Sequence, residues 1–187
     1  MAESKNNIVT HGLSGKVGDI LVFSQRNGKT IVSRAPRERT TEPSPRQKEQ
    51  TVKFQQAVIY AKAAMQDDVK KEMYSAAANP EKGVSAYNVA VADLLNAPHI
   101  EEINLSNYNG NVGDTIIVRA TDDFQVATVR VIINKADGSL VEQGNAVLEG
   151  VLWVYTATVE NSDLAGDKIT IQATDIPDNL TEKTETL

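Results

Sequence analysis

Two acidic runs, Asp122-Asp123 and Asp175-Ile176-Pro177-Asp178-Asn179, hold the side chains of this sequence best suited to binding a ligand. Carboxylate and amide oxygens close together could hold Ca²⁺, which takes roughly six to eight oxygen ligands. Asp122, Asp123, Asp175 and Asp178 are therefore the candidate ligands, and Ca²⁺ is the one cofactor the residues suggest. The same residues also suit turns, because Asp and Asn side chains accept hydrogen bonds from the backbone just beyond them. The alternating spacing of an EF-hand loop is absent, so spacing does not decide between the two readings.

A second group of candidates is basic. Arg34, Arg37, Arg39 and Arg46 stand among Pro36, Pro43 and Pro45 with almost nothing apolar between them. Such a stretch cannot build its own core, so it is expected to be an extended arm, ordered only by a partner. Three partners fit: an acidic surface of another protein or another copy of the chain, nucleic acid, or water alone. Against nucleic acid, no aromatic residue interleaves with the arginines, and neither a recognition helix nor a zinc pattern is present.

The charge distribution suggests either a basic segment that contacts something acidic or contact between copies of the chain. Residues 1–50 carry nine Lys/Arg against five Asp/Glu, residues 51–99 five against five, and residues 100–187 five against fifteen. Ends of opposite sign suit head-to-tail contact between copies of one chain.

Catalytic parts are scarce. There is no cysteine, and the two histidines, His11 and His99, fall in a presumed flexible terminus and a linker. Gly12-Leu13-Ser14-Gly15 lacks the Gly-x-Ser-x-Gly spacing of a nucleophile elbow. Gly15-Lys16 fails as a phosphate loop, because no glycine stands five residues earlier and Val17 follows the lysine. The expectation is a protein that is not an enzyme. Neither a signal peptide nor an apolar run of membrane-spanning length is visible, which predicts a protein made in the cytoplasm.

The elements that would position these residues fall into five stretches: a flexible terminus (1–11), a β-hairpin (12–34), the basic arm (35–47), a helical segment (48–98) and an all-β region (99–187). Asn27-Gly28 between Val17–Phe23 and Thr30–Val32 is a type I′ hairpin signal. Ser44, Pro45 and Gln47 make a capping box with proline at the first helical position, and Phe54, Ala57, Val58, Ala61, Ala64 and Met65 follow on one helical face. A second helix is expected from Asp67 or Asp68 to Asn79-Pro80, and a third from Ser85 to Pro98.

About seven strands are expected in the last stretch, near 100–105, 115–121, 125–134, 139–148, 151–159, 168–174 and 181–186. Their clearest mark is a repeat: Gly113-Asp114-Thr115-Ile116-Ile117-Val118-Arg119-Ala120-Thr121-Asp122 returns as Gly166-Asp167-Lys168-Ile169-Thr170-Ile171-Gln172-Ala173-Thr174-Asp175. Alternation turns Ile116 and Val118 on one copy, and Ile169 and Ile171 on the other, toward a shared core, with Trp153 its largest piece. Short strands at this density are the pattern of an immunoglobulin-like sandwich, so the fold class is α+β overall.

Two resemblances follow from these residues. The Gly-Asp-x-Ile strands and Trp153-x-Tyr155 make residues 100–187 resemble the bacterial immunoglobulin-like and fibronectin type III domains of surface proteins and phage particles. Residues 12–65 are similar to an uncharacterised bacterial and prophage family, through Gly12–Asp19, Asn27-Gly28-Lys29, Arg34, Pro36 and Ser44-Pro45-x-Gln47 leading to Phe54. The resemblances imply a structural protein of a phage or phage-like particle, anchored through its N-terminal part with the sandwich facing outward. A surface- or carbohydrate-binding module and a genome-associated DNA-binding protein are the alternatives.

Overall fold

The computed structural model describes residues 2–4, 8–26, 28–37 and 40–187, so Asn27 and Arg39, singled out above, lie outside the described residues. Among the described residues the chain is α+β, with three helices and three antiparallel four-stranded sheets.

The N-terminal sheet contains β1 (Ala2–Ser4), β2 (Gly15–Val17), β3 (Leu21–Arg26) and β4 (Lys29–Arg34), in the order β1-β4-β3-β2. Arg26 pairs with Lys29 and leaves the two-residue loop that Asn-Gly predicts, with Gly28 at φ 72°. The expected flexible terminus is corrected at its start, where Ala2–Ser4 pairs with Thr30–Val32 through the backbone. This sheet is a single layer. From residue 8 to residue 56 only Thr30 and Ala35 are buried among the described residues.

The helices begin where their caps dictate. At α1 (Pro45–Ala64) the Ser44 side chain accepts from the Gln47 N–H while the Gln47 side chain accepts from the Ser44 N–H. Asp67 caps α2 (Asp68–Ala76) and Ser85 caps α3 (Ala86–Leu95). Ala57, Ala61 and Ala64 line one face of α1, and Ala61 and Ala64 form a small core with Tyr74 and Ala90. Phe54 was expected in that core and is instead 51% exposed, because the first half of α1 has no helix opposite it.

The rest of the chain forms two facing sheets. One has the order β5 (His99–Asn104), β6 (Thr115–Thr121), β10 (Leu152–Thr156), β9 (Val147–Glu149). The other has β12 (Leu180–Thr186), β11 (Lys168–Asp175), β7 (Val126–Asn134), β8 (Leu140–Asn145). Eight strands replace the expected seven because residues 139–148 split at Ala146: β8 pairs with β7 in one sheet, and β9 with β10 in the other. The repeat strands β6 and β11 lie in opposite sheets, and Ile116, Val118, Ile169 and Ile171 are fully buried between them with Trp153 and Tyr155.

The two copies of the repeat run from one pole of the sandwich to the other. At their starts, Asp114 accepts from the Asn109 and Asn111 N–H groups, and Asp167 accepts from Ala136 N–H and the Asn161 side chain. Gly110 closes this pole at φ +87°, where an added Cβ would stand 2.1 Å from the Asn161 carbonyl oxygen. Gly110→Ala is therefore expected to destabilise the chain by about 3 kcal/mol, read as a lower urea midpoint.

Candidate functional site

The strands of the repeat end at the opposite pole. Asp122 follows β6, and its Oδ2 accepts from the N–H groups of Phe124 (3.2 Å) and Gln125 (3.1 Å). Asp175 ends β11, where its Oδ1 accepts from the Asn179 N–H and its Oδ2 from the Asn179 side chain, both at 2.7 Å. These are the turn bonds expected of aspartates, and they hold both carboxylates at the pole.

The helices cover this pole. Phe124 and Ile176 pack into the helical core, with the Phe124 ring 4.7 Å from that of Tyr74. The Asn179 amide donates to the carbonyls of Asp93 (3.1 Å), Leu94 (3.2 Å) and Asn96 (3.4 Å), which the end of α3 leaves without helical partners. Asn96 in turn donates to Asp123 Oδ2 at 2.5 Å.

α3 brings a third carboxylate to the pole. Asp93 is fully buried, and its Oδ2 accepts a 2.5 Å hydrogen bond from the Tyr74 hydroxyl, itself 2.8 Å from that of Tyr60. Asp93, Asp122 and Asp175 offer oxygens that all lie within 4.8 Å of one another. The structure thus gathers Asp122 and Asp175 of the four candidates, adds Asp93, and leaves the other two out. Asp123 is taken by Asn96, and Asp178 sits exposed in the β11–β12 turn at φ 67°. The one sequence signal for Asp93 is its place three residues after Ala90, on the inward face of a helix.

Burial dominates the electrostatics of the cluster. It pushes the Asp93 carboxyl up to about 7, against the pull of the Tyr74 hydrogen bond, and the charges of Asp175 and Asp122 add to the rise. Burial also raises Asp175, opposed by its bonds from Asn179. Among the described residues no Lys, Arg or His forms an ion pair with any of the three. The Oδ1 atoms of Asp93 and Asp122 are buried without a hydrogen-bond partner. No histidine or cysteine joins the cluster, and Asp93 and Asp175 are closed to solvent, so the arrangement suits holding a cation or a proton better than attacking a substrate.

The basic candidates lie elsewhere. Arg34 ends β4, Arg37 lies in the arm and Arg46 in the first turn of α1, and all three are exposed. Residues 35–37 and 40–44 have neither helix nor strand, and the expected extended arm is corrected at its end, where residues 45–47 already belong to α1 because Ser44 caps the helix there.

No protein-family model matches this chain, and no curated protein matches it. Among solved structures it is similar to an engineered protein, at 20% identity and a TM-score of 0.35 over 50% of this chain, of which it spans 20% of the length. It is also similar to CopC from Methylosinus trichosporium OB3b, at 12% identity and a TM-score of 0.34, covering 46% of this chain and 87% of that one. Neither superposition is close enough to transfer a function. Among the described residues no helix is long and apolar enough to cross a membrane.

The Asp93 shift fixes a pH response. Between its ordinary value of 3.8 and about 7 the folded chain holds a proton that the unfolded chain has lost. In chelator-treated buffer, stability should therefore fall as pH rises through that window. Asp93→Asn should flatten the fall, as read by urea unfolding at a series of pH values.

Proposed function

We propose that the chain is a non-enzymatic structural component of a larger assembly, and that its N-terminal sheet, basic arm and the first half of α1 dock on the acidic sandwich of neighbouring copies. The observation carrying this reading is the near absence of burial among the described residues from 8 to 56. A single-layer sheet cannot shield its apolar residues without a second layer. Ile20 is 71% exposed, and Val17 and Phe54 are more than half exposed. A neighbouring subunit would supply the missing layer.

Charge points to the kind of surface. Arg34, Arg37 and Arg46 are exposed, and none forms an ion pair among the described residues. Arg46 stands in the first turn of α1, which holds no acidic residue, although the helix dipole favours negative charge there. An acidic partner would relieve both. The region from residue 100 onward, with fifteen Asp/Glu against five Lys/Arg, offers one on every copy.

Support for an immunoglobulin-like class comes from the strand orders, β5-β6-β10-β9 facing β12-β11-β7-β8, which resemble the two sheets of that topology with one added edge strand. A phage or phage-like particle is the assembly class suggested by the resemblance of both halves.

Sedimentation of the full chain at rising concentration tests the proposal. Defined oligomers are expected at low salt, and reversing Arg34, Arg37 and Arg46 to Glu should return the chain to monomer with the sandwich still folded. A monomer at every concentration and salt overturns the reading.

A further inference from the structure

We propose that Asp93, Asp122 and Asp175 form a divalent-cation site, with Ca²⁺ as the fitting ion, which clasps the helices to the pole of the sandwich. The inference stands apart from the assembly reading, since all three ligands belong to one chain.

The carboxylates are already oriented as ligands. Asp93 gives one oxygen to the Tyr74 hydroxyl, and Asp122 gives one to two backbone N–H groups. Each keeps its other oxygen buried and unpartnered, and the two carboxyls offer oxygens within 4.8 Å of each other. Donors that hold one oxygen of a carboxylate and free the other are what surround bound metals. Asn179 instead binds both oxygens of Asp175, each of which keeps a lone pair beyond the bond it accepts.

The charge and size of the site select the ion. Three carboxylates within 4.8 Å and no paired base make a concentration of negative charge that burial renders costly. A single shared proton would leave two of those charges in place, whereas a divalent cation offsets them. The donors are all oxygen, which suits hard cations over zinc or copper. Bonds of roughly 2.3–2.6 Å let ligand oxygens stand up to about 5 Å apart around Ca²⁺, which accommodates oxygens within 4.8 Å of one another. Asp122 is only half-buried and also lines an open groove with Thr121, Gln125 and Val151, which gives ions a path and water ligands room.

The ligands come from α3, the β6–β7 turn and the end of β11, so a bound ion stabilises only the docked fold. The full chain, stripped with chelator at mildly alkaline pH, should gain several degrees of melting temperature on titration with CaCl₂. Tb³⁺, a luminescent substitute for Ca²⁺, should show emission sensitised by Tyr74 that Ca²⁺ displaces. Asp122→Asn should remove both responses, and Asp123→Asn and Asp178→Asn should keep them. No Ca²⁺ or Tb³⁺ response in the wild type, with melting raised by acid alone, overturns the proposal in favour of a shared proton. A response that survives Asp122→Asn places the ion elsewhere and overturns it too. If Asp122→Asn does not fold, the wild-type displacement of Tb³⁺ together with its retention in Asp123→Asn and Asp178→Asn decides.

Discussion

Asp93, Asp122 and Asp175 meet where α3 lies over the ends of β6 and β11, and their repulsion must be offset for the helices to stay on the sandwich. Everything around the cluster contributes to that end. Tyr74 binds Asp93 and stacks near Phe124, the Asn179 amide closes the exposed carbonyls of α3, and Asn96 reaches across to Asp123. Polar groups here do what apolar packing does elsewhere in the chain. They also specify geometry more tightly, since each buried donor and acceptor has few ways to be satisfied.

Burial divides the chain unevenly along its length. The sandwich has a continuous core from Ile100 to Ala173, the helices have a small one built on alanines, and the N-terminal sheet has almost none. Alanine lets α1 and α3 approach closely but removes little apolar surface, so the helices depend on the pole of the sandwich for much of their stability. The N-terminal sheet has no such support among the described residues, and that lack is the physical ground for the proposed assembled state.

Features set by local chemistry were legible in the sequence. Ser44, Asp67 and Ser85 cap helices where their spacing predicts, and the alternation in the repeat correctly sends Ile116, Val118, Ile169 and Ile171 inward. What escaped depends on neighbours distant in sequence. Helical spacing puts Phe54 on the face of Ala57 and Ala61 but cannot say that the opposing helix ends short of it. The switch of sheet at Ala146 follows Gly144-Asn145, a turn signal that lies inside the single strand expected over 139–148. At the acidic pole, two aspartates were found because they end matching strands, whereas Asp93 reads in isolation like any solvated helix residue.

Native-state hydrogen exchange on the full chain tests most directly whether the carboxylate junction makes helices and sandwich one cooperative unit. If it does, the amides of α3 exchange through the same opening as those of β11, with matching protection, and Asn179→Ala uncouples the two. Exchange of α3 far ahead of β11 in the unaltered chain would show helices that open on their own, and would contradict the account.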